Sequence, residues 1–521
     1  MKKMIVAALT AMTIFAVGCG NRDTFTGIEY VIGNGAEPQS LDPSQIEGVP
    51  EHRLFMALFE GLVAYDPKTS RAVPGVAERW EQNGNVVTFY LRENAQWSDG
   101  TPITAKTFVD SWLYYMSRDT AATYAYMPAS VIAGAKEYHE GAAPRESVGV
   151  RAIDDYTLEV TLVGPIPYAI DMMAHYSFSP LPLDVMKKYG TNWTRPQNFV
   201  GNGPFVLSEW TPQKHIRVVK SETYWNRDTV FIDRITFLPI ENMLTAYNRF
   251  RNGEIDFIDV VPLDLLDEIK LDPRFHPAPY LSSYYYVLNH NNPTLSDVRV
   301  RLALALSVNR MELVENVTRG GELPTGAFVP EMAGYTPADG LGFDVERAKA
   351  LLAEAGYPDG QGFPTMTIIY NTLESHKRIA EWVQQQWKTN LNIDVELQNL
   401  EWASFLDQRQ RNDFEIARAG WVGDYQDPSN FLDLFRTESG NNDGRYSNAR
   451  VDALLDRAAT MPNGAERMAV LREAETIAVH DEIAVIPLYI YVSQCMIDLE
   501  KWEGWYPNTL SIHPYVGMKR K

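Results

Sequence analysis

The sequence predicts an α/β or α+β protein with several sheets, and two observations lead to this prediction. The chain has 521 residues, which corresponds to roughly three domains at about 150 residues each. Segments with the alternation of strands are interleaved with segments that have the periodicity of amphipathic helices. The hydrophobic fraction of 45% and the charged fraction of 22% are ordinary for a globular protein, so a substantial core is expected.

Two strands are predicted in the first third of the chain. Residues 86–92 (VVTFYLR) are β-branched and aromatic, and they follow the turn signal Asn-Gly-Asn at residues 83–85. Residues 156–162 (YTLEVTL) alternate between apolar and polar side chains, as expected of a strand with one buried face.

Three helices are predicted further along the chain. Residues 344–356 (DVERAKALLAEAG) begin with Asp344, which can cap the first turn, and end with Gly356 before a Tyr-Pro pair. The apolar side chains of this segment share one face: Ala348, Leu351, Leu352 and Ala355. Residues 297–317 and 464–480 are also predicted to be amphipathic helices.

The first residues are predicted to be a signal peptide. Lys2 and Lys3 precede the apolar run 4–17, which is too short to span a bilayer. Small residues then lead to Cys19, and the pattern resembles a bacterial lipoprotein signal, in which residues 1–18 are removed and Cys19 is lipidated. A membrane anchor through this N-terminal lipid is expected; the alternative is an ordinary secretory signal that is cleaved nearby.

Charge and cysteine content exclude several kinds of partner. The 67 acidic residues exceed the 47 basic residues, for a net charge of −20, which argues against nucleic acid or anionic lipid surfaces as partners. After Cys19 the only cysteine is Cys495. We therefore expect neither a disulfide framework nor a cysteine metal site, and we interpret Cys495 as a small packed hydrophobic residue.

The sequence lacks the common catalytic motifs. It has no G-x-S-x-G elbow, no P-loop and no H-E-x-x-H, and its nine histidines are scattered. The segment 33–35 (Gly-Asn-Gly) begins like a dinucleotide loop, but Pro38 and Pro43 forbid the helix that should follow. A glycosidase-like carboxylate pair stays open, because acidic residues are abundant. The prediction is a protein that is not an enzyme, without a cofactor or a metal.

Several long strings resemble solute-binding proteins that serve peptide importers, and they run over nearly the whole mature chain. They are PGVAERW (74–80), LRENAQWSDGTPITAKTFVDSW (91–112), RFRNGEIDF (249–257), DVRVRLALALSVNR (297–310) and ERAKALLAEAGYPDG (346–360). Three more strings resemble the oligopeptide-binding (OppA-like) branch of solute-binding protein family 5: SLDPSQIEGVPE (40–51), ARAGWVGDYQDPSNFLDLF (417–435) and VIPLYIYV (485–492).

The resemblance implies a two-lobed periplasmic-binding-protein fold of type II, cluster C, with an additional α+β lobe. The chain then crosses between lobes more than once. By the order of the motifs, lobe I is expected to take 20–59, 184–281 and 493–521, the extra lobe 60–183, and lobe II 282–492.

The expected ligand is a short peptide, which is a zwitterion with arbitrary side chains. A receptor that tolerates many sequences must bind the ammonium, the carboxylate and the backbone groups that all peptides share. By resemblance, Asp424 is the residue that meets the ammonium. The alternative is a loop carboxylate that is satisfied by backbone N–H groups.

By the same resemblance, Arg418 and His376 are expected at the carboxylate end, and Arg409 in a similar role. The alternatives are a structural ion pair for Arg418 and a surface position at a helix start for His376. A lysine that assists this role in some family members is absent here, where the chain reads Val-Thr-Arg-Gly at residues 317–320.

Aromatic residues are expected to form the pocket walls, since rings provide apolar area without demanding one partner. The resemblance selects Trp421, Trp402, Tyr124 and Tyr491, with ordinary core packing as the alternative.

Four further residues complete the expected peptide site. Glu47 is placed near the bound peptide, where it can meet a basic side chain, and Val49 and Gly420 are placed to offer backbone groups. Asn371 is expected to line a side-chain pocket. The alternatives are a solvated loop charge for Glu47 and a structural role for Asn371.

The sequence as a whole therefore predicts a receptor that captures short peptides between its lobes and delivers them to the membrane permease subunits of an ABC importer. We expect a monomer, anchored by lipid, in the periplasm or at the cell surface. One alternative is the same fold with another ligand, namely a dipeptide, a murein peptide, a metal chelate or an oligosaccharide. An exported peptidase or glycosidase and a surface interaction protein are the others.

Overall fold

A computed structural model describes residues 25–521. The predicted signal peptide 1–18 and the lipidation site Cys19 lie outside the described residues. The first part of the chain contains twelve helices and strands: β1 (Glu29–Gly33), α1 (Val49–Leu58), β2 (Val63–Tyr65), β3 (Ala72–Pro74), β4 (Ala77–Asn83), β5 (Val86–Leu91), α2 (Ala105–Met116), α3 (Tyr126–Val131), α4 (Ala135–His139), β6 (Val150–Asp154), β7 (Thr157–Thr161) and α5 (Ala169–Met172).

The middle part begins with a short helix and ends in a long strand. Its elements are α6 (Leu183–Tyr189), β8 (Phe205–Thr211), β9 (His215–Lys220), β10 (Arg234–Leu238), α7 (Met243–Arg251), β11 (Phe257–Ile258), α8 (Leu266–Ile269) and β12 (Phe275–Leu288).

The last part contains half of the α-helices in the described chain. Its elements are α9 (Val298–Leu306), α10 (Arg310–Leu313), β13 (Leu323–Pro324), α11 (Val345–Glu354), β14 (Met366–Asn371), α12 (Glu374–Leu391), β15 (Val395–Leu400), α13 (Trp402–Gln410), β16 (Ile416–Val422), α14 (Ser429–Leu432), α15 (Ala449–Thr460), α16 (Ala465–Glu475), β17 (Val485–Ile497), β18 (Trp502–Glu503) and β19 (Lys519–Arg520).

One large sheet of 11 strands joins the two halves of the molecule. Its order is β15-β14-β16-β12-β17-β11-β1-β10-β9-β8, and β13 adds to β17. The long antiparallel strands β12 and β17 run through its centre, and their register shifts between Pro279 and Ser283. Because a β-bulge bends a strand and increases its twist, this shift divides the sheet into two halves. The predicted lobe boundaries after residues 281 and 492 fall within these two strands.

A separate antiparallel sheet carries both strands predicted in the first third of the chain. Its order is β4-β5-β7-β6. The predicted strand 86–92 is β5, and the predicted strand 156–162 is β7, each with alternating burial. Both predictions are confirmed, and the two halves of the large sheet together with this additional α+β unit agree with the predicted fold class.

The helix predictions are confirmed in one case and corrected in two. In α11 the Asp344 side chain caps the helix by accepting a hydrogen bond from the Arg347 N–H. The predicted helix 297–317 is wrong as a single element, because α9 ends at Leu306 and the Asn309 side chain caps a new helix, α10. The predicted helix 464–480 ends early, since α16 passes into a π-helical turn at residues 476–481.

The core surrounds the large sheet on both faces. Cys495 is fully buried in it, as predicted for a packed hydrophobic residue, and burial raises the pKa of its thiol to about 11. Within residues 25–521, no helix combines the length and apolar character needed to cross a bilayer. The described part of the chain also holds no group of three or more His, Cys, Asp or Glu side chains that could bind a metal ion.

Candidate functional site

The strand β16 forms the floor of the candidate site. It pairs with β12 from Ile416 to Val422, but with β14 only at Ile416 and Ala417. Beyond Ala417, this second edge of β16 therefore has no strand partner among the described strands. At residue 420 a side chain would displace its neighbours, because a Cβ atom there would lie 2.7 Å from the Tyr491 hydroxyl oxygen and 3.1 Å from an Arg418 guanidinium nitrogen.

Asp424 lies two residues beyond β16, and its side chain is only 13% exposed. The Asn430 side chain contacts it twice: Nδ2 donates to the Asp424 carboxylate at 3.3 Å, and Oδ1 accepts from the Asp424 N–H at 3.1 Å. Burial raises the pKa of Asp424 to about 7, against the opposing effect of Asn430. Ionisation of the Asp424 carboxyl group is therefore costly unless a cation lies beside it. A ligand ammonium at this position would strongly stabilise the ionised form.

His175 is an ionisable neighbour of Asp424, and sequence reasoning missed it. Its Nε2 atom lies 3.5 Å from the Asp424 carboxylate, and its side chain is fully buried. Burial holds the pKa of His175 well below its usual value, so the imidazole is neutral and provides no countercharge. Among residues 25–521, no lysine or arginine forms an ion pair with Asp424, and its charge has no internal partner.

Aromatic rings cover the Asp424 end of the site. Trp421 stacks on Tyr124 with ring centroids 6.0 Å apart, and Tyr124 in turn lies 4.8 Å from the His175 ring. The Trp421 indole N–H donates to Asn430 at 2.9 Å. Asn430 therefore fixes both the acid and the wall beside it, and it belongs to the same string as Asp424 in the sequence.

Arg418 lies on the same strand at the other end of the site. Its guanidinium donates to the Tyr491 hydroxyl at 2.6 Å and to the Asn371 side chain at 3.3 Å, and it lies over the Tyr284 ring at 4.9 Å. Its buried Nε atom has no hydrogen-bond partner among the described residues. Within the same residues no carboxylate pairs with Arg418, so the alternative of a structural ion pair is wrong.

His376 is in the first turn of α12, where it is buried rather than on the surface. Its Nδ1 atom lies 3.4 Å from the Tyr284 hydroxyl. Burial and the positive charge of Arg418 hold the pKa of His376 well below its usual value. Tyr284 therefore links His376 to the Arg418 end of the site.

Arg409 is placed differently from Arg418, because it has a partner within the protein. It forms an ion pair with Asp443, and both side chains are largely buried. Its positive charge is therefore already compensated, although burial also brings it into the field of Glu47.

The start of α1 closes the site from the opposite side. The Trp402 indole N–H donates to Glu51 at 3.1 Å, and Gln410 donates to Glu47 at 3.3 Å. Val49 is the first residue of α1, directly beside these contacts. Burial raises the pKa of Glu47 to about 7 and that of Glu51 to about 8.

The structure thus brings most of the predicted site residues into two clusters along β16. One cluster surrounds Asp424, and the other surrounds Arg418. The residues that sequence reasoning missed are His175, Asn430, Glu51 and Tyr284. Asn430 and Glu51 lie within strings already singled out, whereas no local pattern marks His175 or Tyr284.

The chain resembles known proteins over nearly its full length. Residues 71–443 match the family described as "Bacterial extracellular solute-binding proteins, family 5 Middle". The periplasmic oligopeptide-binding protein OppA of Escherichia coli K12 is 40% identical over 504 residues, which cover 93% of this chain and 92% of that protein.

Solved structures show the same similarity. A periplasmic oligopeptide-binding protein from Borrelia burgdorferi superimposes with a TM-score of 0.92 at 37% identity, over 95% of this chain and all of the other. The murein tripeptide-binding protein MppA of Escherichia coli gives a TM-score of 0.91 at 35% identity, over 95% and 99% of the two chains. The unliganded open form of MppA gives a TM-score of only 0.62. The lobes of this chain are therefore arranged as in the MppA structure with the TM-score of 0.91 and not as in the open form.

Proposed function

The chain belongs to family 5 of the bacterial extracellular solute-binding proteins, and we propose that it is the peptide receptor of an ABC importer. It captures short peptides in the cleft between its lobes and delivers them to the permease subunits. The family consists of binding proteins, and we propose that this chain carries out no catalytic step.

A pair of uncompensated charges at the two ends of the cleft carries this proposal. Asp424 has no internal cation, and Arg418 has no internal carboxylate, within the described residues. Both groups are largely buried, where an unpaired charge is unfavourable. A zwitterion that brings an ammonium to Asp424 and a carboxylate to Arg418 relieves both, which favours peptides over ligands with a single charge.

The free edge of β16 supports recognition of the peptide backbone. From Arg418 to Val422 the strand pairs on one side only, and an extended peptide can add to the other side as a further strand. Main-chain pairing of this kind is independent of sequence. The absence of a side chain at Gly420 lets a ligand backbone approach the strand closely.

The cellular setting follows from the relatives. The OppA relatives of Escherichia coli and Salmonella typhimurium are periplasmic, and we propose the periplasm as the site of action here. Lipidation of Cys19 and a monomeric state complete the proposal, with membrane attachment by the lipid alone.

A murein peptide is the second candidate ligand. The observation that favours it is the superposition with the murein tripeptide-binding protein, which is as close as that with the oligopeptide-binding proteins. Such a ligand also has a free ammonium for Asp424. Mass spectrometry of the ligand released on denaturation distinguishes the two by identifying the residues that the ligand contains.

Calorimetric titration with a set of tripeptides tests the proposed function. Wild type is expected to bind, and Asp424→Asn is expected to lose affinity by about 10- to 100-fold, since a hydrogen bond to a charged group contributes about 1.5–3 kcal/mol. Asp394→Asn, at an exposed carboxylate that pairs with Lys388, is the matched control and leaves binding unchanged. Absence of tripeptide binding to wild type would contradict the proposal.

A further inference from the structure

Glu322 is a buried acid whose charge the proposed function does not use. The residue is only 8% exposed and lies directly before β13. One carboxylate oxygen accepts hydrogen bonds from the Thr318 hydroxyl and the Gly320 N–H, both at 2.8 Å. The other oxygen has a single, longer contact of 3.3 Å with the Gln494 side-chain amide. Since a carboxylate oxygen can accept two hydrogen bonds, this second oxygen has capacity for another donor.

Glu322 lies at the same end of the cleft as Arg418. The strand β13 pairs with β17 at Tyr489 and Ile490, next to Tyr491, whose hydroxyl accepts from Arg418. The electrostatic field of Glu322 reaches both tyrosines: after burial, its negative charge is among the causes that raise the pKa values of Tyr489 and Tyr491. A ligand carboxylate at Arg418 would therefore have a second, negative group of the protein close to it.

The positive charges near Glu322 are engaged elsewhere. Arg319 forms an ion pair with Asp267, and Lys270 donates to the Arg319 carbonyl oxygen at 2.9 Å. Among residues 25–521, no lysine, arginine or histidine forms an ion pair with Glu322; its partners are a hydroxyl, a backbone N–H and an amide. Hydrogen-bond donors alone can satisfy a buried carboxylate, but a cation would add a charge-assisted hydrogen bond at the less engaged oxygen of Glu322.

The balance of charge at the Arg418 end of the cleft points the same way. Asp424 and Arg418 meet the two ends of a zwitterion, and Arg409 is neutralised by Asp443. Glu322 then remains as an extra negative charge at the carboxylate end. The net charge of −20 on the chain also attracts cationic ligands over long range.

We infer that Glu322 makes the receptor selective for peptides whose last residue has a cationic side chain, such as lysine, arginine or a diamino acid. The α-carboxylate of that residue binds at Arg418, while its side-chain ammonium or guanidinium reaches the Glu322 oxygen whose one contact is with Gln494. This inference rests on the proposed function, because it names the class of peptide that the same cleft takes.

Three tripeptides that differ only in the last side chain test the inference by calorimetry: Ala-Ala-Lys, Ala-Ala-norleucine and Ala-Ala-(Nε-acetyl)lysine. Norleucine keeps the aliphatic stem, and acetylation keeps the length but removes the charge. Wild type is expected to bind the lysine peptide at least about tenfold more tightly than either neutral peptide, as for a hydrogen bond between charged groups.

The variant Glu322→Gln removes the charge but keeps an acceptor for Thr318 and Gly320. It is expected to bind all three peptides with the affinity that wild type has for the neutral ones. Glu315→Gln, at an exposed glutamate on the same segment, is the matched control and keeps the preference. The norleucine peptide also reports on folding, because its affinity does not depend on Glu322.

Equal binding of the lysine and acetyl-lysine peptides by wild type would overturn the inference, even if the variant proved unstable. A lysine preference that survives in a folded Glu322→Gln variant would overturn it as well. Either result leaves the proposed function intact. Failure of all three peptides to bind wild type would overturn the proposed function and, with it, this inference.

Discussion

At the scale of the residue, the site is defined by how few of its charges are neutralised internally. Asp424 faces a neutral His175 at 3.5 Å, and within residues 25–521 Arg418 donates to a hydroxyl and an amide and lies over a ring face, with no carboxylate partner. Some buried charges elsewhere form ion pairs, as Arg467 does with Asp427, whereas others, such as Glu475, are satisfied by hydrogen-bond donors alone. Arg418 lacks full compensation of either kind, since its buried Nε atom has no hydrogen-bond partner among the described residues.

The raised pKa of Asp424 predicts that peptide binding is coupled to proton release. Without a neighbouring cation the pKa of Asp424 is about 7, whereas an ammonium beside the carboxylate lowers it. Below pH 7 the Asp424 carboxyl group of the free protein is protonated and must lose its proton when the peptide binds. Peptide affinity therefore rises as the pH is raised from 5 to 7. The α-amino group of a free peptide has a pKa of about 8, so affinity falls again above that value.

Calorimetry at pH 6 in buffers of different ionisation enthalpy measures this release directly. About one proton per peptide is expected from wild type, and fewer from Asp424→Asn, where Glu47 and Glu51 are the remaining acids with raised pKa values. An enthalpy that is independent of the buffer in wild type would contradict the coupling.

A second prediction at this scale concerns the glycine of β16. In Gly420→Ala the new methyl group would lie 2.7 Å from the Tyr491 hydroxyl oxygen, so Tyr491 must move and loosen its contact with Arg418. We expect peptide affinity to fall about tenfold or more. The double variant Gly420→Ala/Tyr491→Phe removes the clashing oxygen and should recover part of the loss, in contrast to two independent changes, whose effects would simply add.

At the scale of the element, local sequence patterns predicted those strands and helices whose bounds depend on nearby residues. The strands β5 and β7 and the capped helix α11 follow from alternation, turn residues and Asp344. The prediction of one helix at 297–317 is wrong because the Asn309 side chain caps the start of a new helix. The prediction followed the apolar periodicity of the segment and gave this local capping signal too little weight.

The assembly of the site is only partly predictable from sequence, for a physical reason. Asp424, Trp421 and Arg418 lie on or next to one strand, so a single string contains them. His175 reaches Asp424 from a position 249 residues earlier in the chain, according to their numbers. Such contacts depend on how the units pack, and no pattern along the chain encodes them.

The buried ion pair between α16 and the turn before α14 gives a prediction on stability. Arg467 is 1% exposed in its side chain and donates two hydrogen bonds of 2.7 Å to Asp427. Replacing Arg467 by Met leaves Asp427 as a buried, unpaired charge, which should lower the free energy of unfolding by about 3–5 kcal/mol. Denaturant titration measures this change.

A second substitution, at Asp427, distinguishes the effect of the unpaired charge from the effect of altered packing. Arg467→Met/Asp427→Leu removes both charges and should be more stable than Arg467→Met alone, because no unpaired carboxylate remains. A single variant as stable as wild type would show that the pair contributes nothing. Because the pair lies outside the proposed site, tripeptide affinity is expected to stay unchanged while the variant is folded.

At the scale of the whole molecule, the arrangement of the lobes explains how the cleft can hold a ligand away from water. Contacts across the cleft join segments that are far apart in the sequence. Trp402 donates to Glu51 at 3.1 Å, and Arg378 donates to Asp264 at 2.6 and 2.7 Å. The superposition is close with one structure of the murein tripeptide-binding protein and poor with its open form. The long strands β12 and β17 run through both halves of the large sheet and connect them.

The central claim is that a zwitterionic peptide is held by Asp424 at one end and Arg418 at the other, and blocking the ends of one tripeptide tests it most directly. Calorimetry should compare the free peptide with its N-acetylated and C-amidated forms under the same conditions. We predict that each modification weakens binding by at least about tenfold and that the acetylated form gains nothing from an intact Asp424 over Asp424→Asn. Undiminished binding of the acetylated peptide would contradict the account.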